Sequence, residues 1–248
     1  MVMIEHVYKL SQTHRMDSHH IQQALNLQLA QANTFDTYYA GSDPTLISVL
    51  KSVAMGVLDE PQIFLWGMPA TGKTHILQAM CHEATASHKR AMYLPLQDLA
   101  AQDPVCIEGL QDMQLICIDD VHTVAKNPQW EQALFNFINH HRASGTTLII
   151  ASTKAPTDDI FDLVDLNSRA VWGPVYKLSP VDDNKLDEAL KFHASVRGLV
   201  LPQEVRKFLL TRYQRDVSTL VSIIEALDKA SLEQQRKVTI PFLKKTLN

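Results

Sequence analysis

A short apolar run, Gln62–Trp66 (QIFLW), passes directly into Gly67-Met68-Pro69-Ala70-Thr71-Gly72-Lys73-Thr74. The pattern Gly-x-x-x-x-Gly-Lys-Thr lets successive backbone N–H groups surround phosphate oxygens, because glycine permits the tight turn and the close approach. Lys73 would reach the β- and γ-phosphates, and the Thr74 hydroxyl would bind Mg²⁺. Chance supplies the pattern in about 1% of chains of this length. A strand before it and a helix after it, read over Lys73–Ala86, give it the required context. Pro69, Ala70, Thr71, Gly72, Lys73, Thr74 and His75 are therefore candidate nucleotide contacts together with Gly67. A glycine turn with an incidental lysine is the plain alternative.

The rest of the chain fits that start. AMYL (Ala91–Leu94), LICI (Leu115–Ile118), TTLIIAS (Thr146–Ser152) and VYKL (Val175–Leu178) are further apolar strand runs. Helical patterns intervene. Over Pro128–Arg142, Trp130, Ala133, Leu134, Phe137 and Ile138 fall on one face. Apolar strands alternating with helices predict an α/β fold, a five-stranded parallel sheet sandwiched by helices. After Pro180 the strands stop. Helices are expected over Asp182–Arg197, closed by Gly198, then after Pro202, after Asp216 and from Thr239–Pro241, giving a small all-α lid. The expected organisation is a tail over 1–33, an α/β nucleotide-binding domain over 34–179 and a helical domain over 180–248.

Lys plus Arg is 23 and Asp plus Glu 27, so 23 − 27 leaves −4 and no global field toward DNA or an anionic membrane. The three cysteines, Cys81, Cys106 and Cys117, show no pairing or metal-ligand spacing. No apolar run reaches the roughly 18 residues of a membrane span. Glu5, Lys9, Arg15 and Asp17 interrupt what a signal peptide would keep apolar. A cytoplasmic protein is expected.

Asp119 and Asp120 close the strand Leu115–Ile118. Beside a phosphate loop, Asp119 would complete a Mg²⁺ shell with Thr74, and Asp120 would orient an attacking water as general base. Two carboxylates after a buried strand can also be a solvated turn. Thr153-Lys154-Ala155-Pro156 lacks the aspartate of a guanine-reading motif, which favours ADP or ATP.

These features, the extra strand Ala91–Leu94 and the helical C-terminal segment together resemble the AAA+ family. LIIASTKAP (Leu148–Pro156), DLNSRAVWGPVYKL (Asp165–Leu178) and LDKASLEQQRKVTIPFLKKTL (Leu227–Leu247) are similar to the DnaA/Hda branch of that family, from about Gln22 onward. The resemblance implies that Thr153 is the polar sensor after the fourth strand, and that Arg169 is an arginine finger acting on a neighbouring subunit's nucleotide. Without it, Arg169 reads as a surface arginine at a helix end. The family's second sensor arginine falls on Ser218, which cannot supply charge to a phosphate. Arg215, one turn earlier, is the nearest alternative cation. The chain ends at Asn248 directly after the lid, so no duplex-reading domain and no sequence-specific DNA contact are expected.

The resemblance also implies that Gln22, Leu25 and Leu27 form a peptide docking into the DNA polymerase III sliding clamp (its beta subunit). A glutamine would bond the pocket wall there and spaced leucines would fill it; an ordinary amphipathic helix with Ile21, Leu25 and Leu29 on one face is the alternative. The implied partners are DnaA, the clamp and a second copy of the chain, with stimulated hydrolysis of DnaA-bound ATP and restraint of replication initiation as the outcome. An autonomous ATPase of helicase-loader type and a nucleotide-stabilised adaptor remain as rival readings.

Overall fold

The computed structural model describes residues 29–247 except Gln31 and Ser42. Gln22, Leu25 and Leu27 lie outside the described residues. Five strands, β1 (Gln62–Trp66), β2 (Ala91–Pro95), β3 (Leu115–Asp119), β4 (Thr147–Ser152) and β5 (Val175–Lys177), form one parallel sheet in the order β2-β3-β4-β1-β5. The phosphate-loop strand thus lies beside β4 and one place removed from the strand ending in the aspartates.

Parallel neighbours need crossovers, and helices supply them on both faces. These are α1 (Pro44–Met55), α2 (Lys73–Ala86), the single-turn α3 (Leu96–Leu99), α4 (Pro128–Ala143) and α5 (Val164–Ala170). Successive strand residues point to opposite faces, and the core divides accordingly. Phe64, Ile116, Ile118 and Ile150 face Trp130 and Leu134 of α4. Ile63, Leu65, Cys117 and Ile149 face Leu77 and Met80 of α2. Cys81 and Cys117 are buried free thiols, and Cys106 is half-buried.

Local chemistry sets the helix ends. The Asp43 carboxylate accepts from Leu46 N (2.9 Å), with Pro44 opening α1. Asn127 accepts from Gln129 N and Trp130 N at the start of α4, a cap worth about 1 kcal/mol.

The C-terminal helices are α6 (Leu186–Val196), α7 (Gln203–Arg212), α8 (Val217–Gln234) and α9 (Ile240–Leu247). They enclose their own core of Leu186, Leu190, Val205, Leu209, Ile224, Leu227 and Leu243. Asp216 caps α8 through Thr219 N (2.8 Å). The first of these helices starts later than the sequence pattern predicts. Asp183–Lys185 form a 3₁₀ turn and the α-helix begins at Leu186, because Asp and Asn side chains compete with helical hydrogen bonds. Among the described residues no helix is long and apolar enough to cross a membrane.

Candidate functional site

The loop after β1 turns on two left-handed residues, Ala70 (φ 62°) and Gly72 (φ 87°). Such a turn gathers N–H groups into a concavity, and α2 adds its N-terminal donors. Gly72 is required twice over, since a Cβ there would also stand 2.7 Å from Tyr38 Cε2. Lys73 is 5% exposed. Its Nζ donates to Gly67 O (2.8 Å) and Met68 O (2.9 Å). Burial pulls the ammonium pKa down, while Asp120 and Asp119 hold it up. The lysine is thus a charged group aimed along the loop.

Asp119 ends β3 and is almost fully buried. It accepts from the Tyr93 hydroxyl (2.9 Å) and from Asp120 N (3.0 Å). Burial raises its carboxyl pKa, opposed first by the Thr74 hydroxyl and then by the Tyr93 hydroxyl and the Asp120 N–H. Burial and the facing Asp119 charge push the Tyr93 phenol up in turn, so it stays a donor. Asp120 takes a left-handed conformation (φ 50°) and lines the cleft, its carboxylate 4.0 Å from His122 Nδ1. Thr153 N donates to that same Nδ1 at 3.4 Å. His122 thereby sits between the end of β4 and the carboxylate pair; burial lowers its pKa, opposed first by the Asp120 charge.

Thr74 and Asp119 offer hard oxygen donors side by side. Among the described residues no group of three or more His, Cys, Asp or Glu could hold a metal by itself. That donor set fits Mg²⁺, which uses one or two carboxylates and fills its octahedron with phosphate oxygens and water.

The cleft, of about 800 Å³, is walled by the loop residues Pro69–His75, Asp120, Thr153, the N-terminal arm and the lid. The arm is fastened to α2. Gln78 Oε1 accepts from Ala30 N (3.1 Å) and Asn33 Nδ2 (3.0 Å), and the His75 ring donates to Thr34 O (2.8 Å). Tyr38 packs edge-on against His75 at 5.3 Å, and burial takes its phenol to about 12. From the lid come Ser218, Val217, Val221 and Arg197. Arg215 is elsewhere, bonded to Leu210 O and Asp183. The lid cation that lines the cleft is Arg197, paired with Glu225. Sequence proximity pointed to Arg215; helix packing brings in Arg197 instead.

Arg169 stands outside this cleft, in the last turn of α5. Its mount is specific. The buried Glu131 carboxylate accepts from Asp162 N and Leu163 N ahead of α5 (3.1 and 2.7 Å). Asn167 bonds both polar backbone groups of Phe161 (2.9 and 2.7 Å). Gln62 reaches the Arg169 carbonyl (2.7 Å). A Cβ at Gly173 would lie 1.7 Å from Gln62 O, so only glycine lets this segment close onto β1. Tyr93, His122, Tyr38, Gln62 and Arg197 were not singled out from the sequence. A glutamine opening an otherwise apolar buried strand was the one visible signal among them.

A parallel sheet in this order, a phosphate loop after β1, paired aspartates after β3 and a helical lid over the cleft define an AAA+ nucleotide-binding protein. The model of the bacterial DnaA ATPase domain matches residues 29–176, and that of the Hda lid domain matches residues 182–247. The chain belongs to the DnaA-like AAA+ family. It is 38% identical over 216 residues to an uncharacterized protein of Haemophilus influenzae, covering 87% of this chain and 93% of that one. Domain III of the Thermotoga maritima replication initiation protein DnaA superposes with a TM-score of 0.75 at 22% identity, covering 89% of this chain and 97% of that one. AMPPCP-bound DnaA from Aquifex aeolicus gives 0.69 at 24% identity, covering 83% of this chain and 68% of that one.

Proposed function

We propose that this chain is an Hda-like cytoplasmic regulator that stimulates hydrolysis of ATP bound to DnaA, together with DNA-loaded sliding clamp, and so prevents re-initiation. The observation that carries this reading is the position of Arg169. It lies outside its own nucleotide cleft, on a helix end fixed from three directions, with its guanidinium beside the exposed Trp172 ring and its Nε buried without a partner. A guanidinium presented in this way suits a neighbour's phosphates. There it would stabilise the charge that develops on the transferred phosphoryl, an effect of about 10³–10⁵ in rate or ~4–7 kcal/mol. The match of the C-terminal helices to the Hda lid supports the same reading.

In the chain's own cleft, Lys73 would pair with the phosphates of ADP or ATP, and Thr74 and Asp119 would hold Mg²⁺, which neutralises phosphate charge. Asp120 is placed to orient a water and Thr153 to sense a γ-phosphate. Ser218 brings no charge to the lid side, and Arg197 is engaged with Glu225. Own turnover is therefore expected to be weak. The complete set Lys73, Thr74, Asp119 and Asp120 favours one rival, an autonomous ATPase.

Radiolabelled ATP preloaded on DnaA separates the two. With loaded clamp, Arg169→Ala should lose most of the stimulated hydrolysis while its own ADP affinity and clamp binding stay near wild type. Arg169→Lys should recover little, because an ammonium lacks the planar fork that spans two oxygens. Wild-type stimulation by Arg169→Ala, with fast turnover by the chain alone, would establish the autonomous ATPase instead.

A further inference from the structure

Two guanidinium groups share one indole. The Cζ of Arg169 lies 3.8 Å from the Trp172 ring centroid, and the Cζ of Arg142 lies 4.0 Å from it. The first comes from the last turn of α5 and the second from the last turn of α4. Arg169 Nε and Arg142 Nη1 are buried without a hydrogen-bond partner, and neither residue forms an ion pair among the described residues. Arg90, Arg197, Arg206 and Arg215 instead donate to carbonyls or carboxylates, and Arg212 lies over the Phe208 ring at a longer 6.0 Å. A helix C-terminus accounts for a cation at position 142, but not for a stem that carries the charge away from the terminal carbonyls and onto an aromatic ring already occupied by another cation.

Like charges this close repel, and half-buried guanidinium N–H groups without acceptors are costly. Stacking on the indole offsets part of that. It engages the faces of the guanidinium groups and uses none of their N–H donors. Trp172 is itself 43% exposed, so the cluster opens to the surface. What is missing is a set of anionic oxygens close enough together to take both forks.

We infer that Arg142 is a second cation of the interface site: with Arg169 it grips adjacent phosphoryl oxygens of the nucleotide on the neighbouring subunit, and Trp172 sets the orientation of both. This rests on the reading of Arg169 as acting in trans. Arg142 is then a catalytic residue in its own right, and Trp172 a positioning residue.

The test is single-turnover hydrolysis of labelled ATP on DnaA with loaded clamp, titrated with each variant to saturation. Arg142→Gln, and Arg142→Met to keep the apolar stem, should lower the limiting rate by about tenfold or more, with the half-saturating concentration within about twofold of wild type. Arg142→Lys should regain part of the rate. Trp172→Phe should stay near wild type, since a ring remains to stack on, and Trp172→Ala should fall toward the Arg142 variants. Clamp binding and thermal midpoint verify that each variant is folded. A wild-type limiting rate for both Arg142 variants, alongside a lost rate for Arg169→Ala, overturns this inference alone. A shift confined to half-saturation also overturns it, because Arg142 would then meet surface carboxylates of the partner. Retained rate in Arg169→Ala itself removes the underlying reading, and this inference with it.

Discussion

Gln62 donates from Nε2 to the carbonyl oxygen of Arg169 at 2.7 Å, and the same nitrogen reaches Ala170 O at 2.8 Å. The last carbonyls of a helix lack intrahelical partners, and here the first residue of β1 supplies one. The strand whose far end feeds the phosphate loop therefore holds, at its near end, the helix that carries the arginine. Five residues at ~3.3 Å each separate these two attachment points by roughly 16 Å along one strand.

Gln62→Ala should consequently affect the arginine more than the nucleotide. The buried Ala170 carbonyl then loses its side-chain donor and Arg169 O keeps only the long bond from Trp172 N (3.4 Å), a cost on the order of 1–3 kcal/mol, or a fall in Tm of roughly 2–12 °C for a chain of this size. Stimulated hydrolysis on DnaA should drop while ADP affinity by calorimetry stays within about twofold. An unchanged Tm would mean the carbonyls find other donors.

Lys73→Ala should weaken ADP and ATP binding by at least tenfold, about 1.4 kcal/mol. The thermal stabilisation that ADP confers should shrink by the same amount at fixed ligand concentration. Unchanged affinity in a calorimetric titration would remove the loop from the nucleotide site.

Replacing Gln22, Leu25 and Leu27 together by Ala should abolish capture on immobilised sliding clamp and leave the melting curve of the folded chain in place. Wild-type capture by the triple variant would leave those leucines as one face of an amphipathic helix.

Acid should loosen the fold through two histidines. Burial takes His141 from 6.5 to about 4, helped by neighbouring His140; burial takes His193 equally far, helped by Arg197 and His75. A depressed folded pKa means the unfolded chain binds more protons between those values. The stabilisation is therefore complete above pH 6.5 and is lost as pH falls toward 4, up to ~3 kcal/mol per group. Denaturant midpoints at pH 7.5, 6 and 5 should decline in that order, and His193→Phe should flatten the decline. A flat wild-type profile would show that neither histidine is held neutral.

The parts of this molecule that are local in sequence could be read from it. Gly67–Thr74 needs only its own loop and the residues on either side, and the strand runs are bounded by their own turn residues. Asp119 and Asp120 could be placed because an apolar strand delivers them. What could not be read was set by packing between distant segments. Tyr38 faces His75 across 37 positions, and Arg197 rather than Arg215 reaches the cleft because α6 lies along α8. The pairing of Arg142 with Arg169 on Trp172 depends on two helix ends converging, which neither helix pattern discloses.

The fastening of the arm to α2 has a consequence for geometry. Ala30 is held at both its polar groups, N to Gln78 and O to His82. Leu27, the last residue of the expected docking peptide, is three positions away, and three residues reach at most ~11 Å. Should that peptide dock as proposed, the surface that takes it would be held within about that reach of Ala30, so a captured chain would be leashed short, against the α2 side of the molecule.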